Sequence, residues 1–315
     1  MRILLITGGW SAERDVALNG AKVLQKAMEE LGHTVELYDL EPTFSGFNGA
    51  VSRNEFAFIN LHGAPGEDGL VQAILEQMGF PFQGSGAAAS MLALDKAVAK
   101  TFFEKANLRI AKSLLLTQMP APDWKMPLSF PVFIKDNRGG STLNLEYVDS
   151  EQNFFPTLEK LFSRGGQFLV EEAIHGDELT CGVYEDVVDG AIVVKALPPI
   201  LIEVQSGSGL FDYESKYSAN GAKEICPAPI SDALTRKLQE MSVAAHISLG
   251  LSGYSRADFI VPKDNEPVIL EVNTLPGMTA RSLIPQEFAA IGIGFNEMVT
   301  HLITMGMAHW RGKTA

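Results

Sequence analysis

"SRADFIVPKDNEPVILEVNTLPG", residues 255–277, reads as two strands around a polar turn, and everything else in the chain is understood from it. With the turn centred on Asp264 and Asn265, Asp258 faces Glu271 and Arg256 faces Asn273. Alternate residues of a strand share a face, so these four project together while Ala257, Phe259, Leu270 and Val272 form an apolar face behind them. Two carboxylates opposed across a ladder repel unless a cation lies between them. Oxygen donors from Asp, Glu and Asn suit magnesium held partly by phosphate oxygens. The plainer alternative is a solvated polar face on which Arg256 neutralises one acid. Pro262 and Pro267 flank the turn symmetrically and are expected to widen it without altering the register.

The 315 residues exceed one ordinary core, so two or three domains are expected. No apolar run approaches the roughly 18 residues that span a bilayer, which argues against a membrane protein. The start "MRILLITGGW" reads as a first strand and not as a leader, and a cytoplasmic location is expected. A net charge of −13 argues against a nucleic-acid binder, although a few local cations suffice for a small nucleotide. Cys181 and Cys226 lack metal-ligand spacing, so no zinc site or disulfide framework is expected and both should be buried and inert.

The fold class is α/β, opening with a parallel sheet. "RILLIT", "TVELYDL", "FAFINLH" and "PFQGS" read as its strands, with helices from about Asp15 and over "GLVQAILEQMG" between them, in a first domain of residues 1–90. Residues 91–178 begin with one helix, "MLALDKAVAKTFFEKA", followed by the strands "KSLLL", "PVFIK", "LNLEYV" and "QFLVEEAI" of a mixed, mainly antiparallel α+β unit. Residues 179–315 carry the strands "LTCGVYED" and "AIVVKALPPI", a polar loop from about 206 to 223, the helix "DALTRKLQEMSVAAHISLG", the hairpin and an amphipathic C-terminal helix.

Several further stretches carry chemistry. Glu13 lies at the first strand-to-helix turn, where parallel sheets bind ligands, although a carboxylate there also complements the helix dipole. His62 sits in a Gly-rich turn, as a loop anchor or a substrate contact. Lys135 ends a strand before Gly139, Gly140, Ser141 and Thr142, whose backbone can approach phosphates; a plain hairpin turn is the competing reading. Glu171 and Glu178 flank a His-Gly turn, either as ordinary surface charge or as acceptors for an adenine amino group and a ribose. Lys96 is a further cation, and the polar loop is long enough to be a lid bringing Lys216 and Tyr217 onto a substrate.

As a set, "GGWSAERDVAL", "HGAPGEDG", "LDK", "FLVEEAIHGDELT", "DYESKY", "CPAP", "RADFIV" and "LEVNTLPGMTARSLIP" resemble, in order and spacing, the D-alanine–D-alanine ligase family of the ATP-grasp superfamily. The resemblance covers nearly the whole chain. It implies a two-domain ATP-grasp fold behind the N-terminal sheet, ATP and magnesium (two ions, with manganese as a substitute), D-alanine as substrate and a homodimer. The implied reaction phosphorylates one D-alanine carboxylate, and the amine of a second then attacks the acyl phosphate, for peptidoglycan synthesis. On this resemblance Glu13 holds the first ammonium with His62 near its carboxylate, and Glu13, Ser141 and Tyr217 form a hydrogen-bonded trio. Lys96, Lys135 and Lys216 contact phosphates, and Glu171 and Glu178 the nucleoside. Asp258, Glu271 and Asn273 bind metal, Arg256 and the Gly277 backbone stabilise the oxyanion, and Ser282 and Leu283 line the second D-alanine pocket. Tyr217, where ester-forming relatives tend to carry His, implies an amide product.

One segment departs from the family pattern. "KDNRGGSTLN" has Asp136 for Pro, Thr142 for a second Ser and Asn144 for Gly, so a negative charge near the phosphates must be offset by Arg138, a lysine or the metal. A ligase of the same fold joining a different amino-acid pair is the alternative that this suggests. A non-catalytic nucleotide-binding protein has no use for Arg256, Lys216 and both metal carboxylates together, and no GxGxxG follows the first strand as a dehydrogenase would require.

Overall fold

The computed structural model describes residues 1–121, 123–140, 145–204 and 222–314. Strand β1 (Arg2–Gly8) is almost wholly buried because it is the centre of a parallel sheet of order β2-β1-β3, with β2 at Thr34–Leu40 and β3 at Phe56–Ile59. Helices α1 (Arg14–Glu30), α2 (Phe47–Arg53) and α3 (Leu70–Gln77) connect and cover it. The expected fourth strand, "PFQGS", shrinks to a single bridge between Ala57 and Phe82. The Gln83 side chain takes over the pairing there, accepting from Ile59 N and donating to Ile59 O.

The helix expected across residues 91–106 is two helices, α4 (Ala87–Leu94) and α5 (Lys96–Lys105). Asp95 breaks it: its backbone is extended and its carboxylate accepts from Val98 N at 3.2 Å, an N-cap that starts the second helix. Asn137 Nδ2 and Arg138 Nε also donate to Asp95, at 2.8 and 2.9 Å. Burial alone would raise this carboxyl, and those two donors outweigh it and hold it below its usual range.

An antiparallel sheet of order β4-β7-β5-β6 follows, built from β4 (Ser113–Leu116), β5 (Val132–Asp136), β6 (Glu146–Val148) and β7 (Phe168–Glu172). Its apolar face packs on α6 (Glu151–Phe162), a helix that Pro156 conceals in the sequence. The second antiparallel sheet centres on β8 (Asp177–Val188). One flank of β8 pairs with β12 (Tyr254–Val261), which pairs in turn with β13 (Val268–Asn273). The other flank is shared by β9 (Ala191–Ala196), shorter than the expected strand "AIVVKALPPI", and β10 (Ile200–Val204), which was not expected, and β11 (Ala222–Ile225) extends it. Helix α7 (Asp232–Ser248) fills the core behind this sheet.

Helix α8 (Leu283–Ala290) follows the hairpin, and α9 (Phe295–Thr314) returns to the first sheet, where Met298, Val299, Leu302 and Ile303 join the core of Ile3, Leu5 and Phe56. Among the described residues no single helix is long and apolar enough to cross a membrane.

Candidate active site

The hairpin register holds at the end that matters. Arg256 pairs with Asn273, Ala257 with Val272 and Asp258 with Glu271. Beyond them the register shifts by one, Phe259 pairing with Ile269, so the symmetric prolines do not preserve it. Leu270 is the extra residue of a β-bulge. It is only partly buried, and Ile269 takes its place in the core.

On the polar face, Arg256 donates to Asp258 from Nε and Nη2, both at 2.8 Å. Asn273 Nδ2 donates to Asp258 Oδ2 at 2.9 Å, and Thr180, directly opposite on β8, donates to Oδ1 at 2.6 Å. Burial would lower the Arg256 pKa, but the charges of Asp258 and Glu271 overcome it and keep the guanidinium charged. Glu271 faces Lys96 Nζ at 3.2 Å, and the same ammonium donates to Gly139 O at 2.6 Å. Each of the opposed carboxylates has its own side-chain cation, Lys96 on Glu271 and, as the plainer alternative expected, Arg256 on Asp258. Lys96 is aimed because Asp95 starts α5 at that point.

Two of the expected nucleotide contacts face each other. Lys135 and Lys100 clamp the buried Glu171 at 2.5 and 2.6 Å, one on each carboxylate oxygen. Lys100, lying in "LDKAVAK", was not singled out in the sequence. Burial of Glu171 would raise its pKa, and the two lysines reverse that and lower it. Glu178 lies on β8 opposite Ile202 and Ile260, partly exposed. Arg138 does not offset Asp136, because its guanidinium is spent on Asp95; Asp136 Oδ1 instead accepts from the Arg138 backbone N–H at 2.9 Å.

Glu13 caps the start of α1, and a Cβ on Gly140 would stand 3.3 Å from its Oε2, so the Gly139–Gly140 loop comes down onto it. Ser141, next in that loop, and Thr142, Asn144, Lys216 and Tyr217 lie outside the described residues. His62 is buried and donates from Nδ1 to Leu275 O at 3.1 Å, since a carbonyl can only accept. Its Nε2 therefore presents a lone pair, with no partner among the described residues. Burial keeps the ring neutral by lowering its pKa.

Glu67 was missed by the sequence reading, although it stands in the quoted "HGAPGEDG". It accepts from Gly63 N at 2.8 Å and Leu275 N at 3.3 Å, tying the His62 turn to the loop after β13. Dehydration, with the charges of Glu13 and Glu271, pushes its carboxyl up to about 7. Ser282 Oγ accepts from Thr279 N at 3.0 Å, and a Cβ on Gly277 would meet that oxygen at 2.9 Å, so glycine keeps the loop closed against the N-cap of α8, whose first residue is Leu283. Cys181 is buried as expected, whereas Cys226 is only partly so; burial raises both thiols, Cys226 to about 11, and neither is a thiolate at neutral pH.

Among the described residues no three His, Cys, Asp or Glu side chains converge as a metal cage. Asp258, Glu271 and the Asn273 carboxamide oxygen are instead a partial set of hard oxygen donors, which fits an ion completed by phosphate oxygens. A small pocket between Lys96, Gly140, Glu271, Asn273, Glu67 and Gly63 opens beside them.

A parallel sheet followed by two antiparallel sheets, with acids and cations gathered between them, defines the ATP-grasp ligase class. Residues 104–304 match the family model for the D-ala D-ala ligase C-terminus. The chain is 51% identical over 308 residues to a D-alanine–D-alanine ligase of Oleidesulfovibrio alaskensis, covering 98% of this chain and 97% of that one. It is 38% identical to one of Halalkalibacterium halodurans over 98% of this chain and 99% of the relative. The ATP-complexed crystal structure of D-alanine–D-alanine ligase from Bacillus anthracis superposes with a TM-score of 0.85 at 27% identity, over 99% of each chain. VanG D-Ala:D-Ser ligase from Enterococcus faecalis reaches 0.80 at 28% identity, over 97% of this chain and 99% of that one. The chain belongs to the D-alanine–D-alanine ligase family.

Proposed function

We propose that this protein joins two D-alanines into D-alanyl-D-alanine at the expense of ATP, releasing ADP and phosphate, as a cytoplasmic step of peptidoglycan synthesis. The observation that carries this reading is one row of side chains: Arg256 and Asp258 locked together, Asn273 and Thr180 on the same carboxylate, and Lys96 on Glu271. Such a row suits anionic phosphoryl and acyl groups and has little use elsewhere. Asp258, Glu271 and Asn273 would hold magnesium, which supplies charge neutralisation at the transferring phosphoryl group. Lys96 and Lys135 neutralise phosphate oxygens, with Lys216 expected to join them. Lys135 and Lys100 also fix Glu171 toward the nucleoside, and Glu178 is the ribose acceptor. Arg256, with Gly277 N–H, holds negative charge developing on the attacked carbonyl oxygen.

Glu13 receives the first substrate's ammonium. In the neutral tautomer that donates from Nδ1 to Leu275 O, His62 Nε2 takes a hydrogen and does not give one, so it too serves an ammonium better than a carboxylate. Ser282 and Leu283 border the second amino acid, Ser141 and Tyr217 are expected to complete the trio with Glu13, and residues 1–90, 91–178 and 179–315 are the three units that close on the substrates. The protein is proposed to act as a homodimer.

Purified protein given ATP, magnesium and D-alanine should release phosphate and form a product of dipeptide mass. No release would overturn the assignment. The likeness to VanG, a D-Ala:D-Ser ligase, favours one second reading, a different acceptor on the same chemistry. A scan of amino acids as acceptor, with products weighed, separates the two. In the same assay Arg256→Ala should lower kcat/KM by roughly 100-fold or more, the scale of losing an oxyanion donor.

A further inference from the structure

Strand β8 changes neighbours midway. Residues Glu178, Leu179 and Thr180 pair with β10, and Val183 onward pairs with β9. Between them Gly182 O accepts from Leu197 N at 2.8 Å, but the turn through Pro198 and Pro199 carries the chain away, and the Gly182 N–H is left without a strand partner. A buried N–H left unpaired forfeits its hydration with nothing in return, so something must accept from it. That acceptor is Glu287, from α8, whose Oε1 lies 2.8 Å away.

The place matters as much as the bond. Gly182 opposes Arg256, which opposes Asn273, so the three form one row on the polar face. A Cβ on Gly182 would meet Glu287 Oε2 at 2.3 Å, Ile284 Cδ1 at 2.6 Å and Leu197 Cδ1 at 2.8 Å. The slot left by the absent side chain is therefore filled by the Glu287 carboxyl, which stands where the row's third side chain would be. Glu287 is fully buried, and its Oε2 has no hydrogen-bond partner among the described residues.

We propose that Glu287 is a positioning residue for the ligation: through the Gly182 N–H it pins α8, whose first turn carries Ser282 and Leu283, to the sheet at the row of Arg256. This rests on the reading of Ser282 and Leu283 as the border of the second amino acid's pocket. Gln286 supports the same placement from the other side, donating from Nε2 to Arg281 O at 2.7 Å and to Glu224 of β11. Burial, with only partial relief from Gly182 N–H and Arg256, pushes the Glu287 carboxyl up to about 8, so it serves as a neutral acceptor and adds no second negative charge beside Asp258.

The test is steady-state kinetics of the full-length enzyme with Glu287→Gln and Glu287→Met. Gln keeps an acceptor oxygen and the neutral form; Met fills the volume and removes the acceptor. Gln should stay within about twofold of wild type in every constant. Met should raise the KM for the acceptor D-alanine about tenfold, or ~1.4 kcal/mol, while the KM for ATP stays within about twofold. The proposal is overturned if Met leaves the acceptor KM unchanged, if it raises both KM values alike, or if Gln behaves as Met does. Should Met not fold, Glu287→Asp is read in the same way, since it withdraws the acceptor by one carbon: a rise confined to the acceptor KM upholds the role and no rise overturns it. A wild type inactive on D-alanine indicts the functional reading, whereas an active wild type with an indifferent Glu287 indicts this inference alone.

Discussion

Glu67 shows how much one carboxyl can depend on what the fold puts around it. Its pKa is raised to about 7 from an ordinary 4.5, by dehydration first and by the charges of Glu13 and Glu271. A raised acid binds its proton more tightly in the folded state, so its contribution is fully present below about pH 4.5 and is lost as pH climbs through 7. Glu67→Gln removes the titration and keeps one acceptor oxygen, so it loses one of the bonds from Gly63 and Leu275 by an amount that does not change with pH. The wild-type Tm should therefore fall relative to that of Glu67→Gln between pH 5 and pH 8, and parallel Tm curves would refute this account. The motif containing Glu67 was visible in the sequence, but its role was not, because Leu275, the donor that ties the turn to the loop after β13, lies far away in the chain.

At the scale of elements, the clamp of Glu171 between Lys100 on α5 and Lys135 on β5 joins a helix to a sheet. Breaking a buried charge pair by removing one partner costs more than the pair contributes, since the other charge is left uncompensated. Glu171→Gln, which strips both lysines of their countercharge, should thus destabilise by roughly 3–5 kcal/mol in urea unfolding. Adding Lys100→Met to Glu171→Gln should recover part of the loss, because one of the two orphaned cations is then gone; additive losses would exclude the clamp. The strands of this sheet were legible from their apolar alternation. The break between α4 and α5 was not, since "MLALDKAVAKTFFEKA" has continuous helical spacing and only the Asn137 and Arg138 partners show why Asp95 caps.

Across the whole molecule, α9 binds the first sheet to the second antiparallel one. Its His309 pairs with Glu185 of β8, its His301 ring bonds Glu185 O at 2.6 Å, and His246 of α7 approaches the same carboxylate at 3.9 Å. Burial would raise Glu185, but His246, His309 and the Gly253 N–H prevail and hold it at about 2. A depressed acid stabilises above its unfolded pKa and loses that contribution as pH falls from about 4.5 toward 2. The stability gap between wild type and Glu185→Gln should therefore narrow by roughly 2 kcal/mol from pH 6 to pH 3 in urea melts. A gap independent of pH would mean that the histidines do not hold this charge.

Local order came from the residues themselves: the parallel sheet and the hairpin follow from strand and helix patterning and turn chemistry, which act between near neighbours, whereas Asp258 opposes Glu271 only because the bulge at Leu270 shifts the register set beside the turn. Tertiary structure alone decided the partners. Lys96 on Glu271, Thr180 on Asp258, Lys100 on Glu171 and Glu287 on Gly182 each join segments far apart in the chain. Periodicity says which face a side chain takes, but the group it meets there is settled only when separate elements pack and every buried charge or N–H must find a complement.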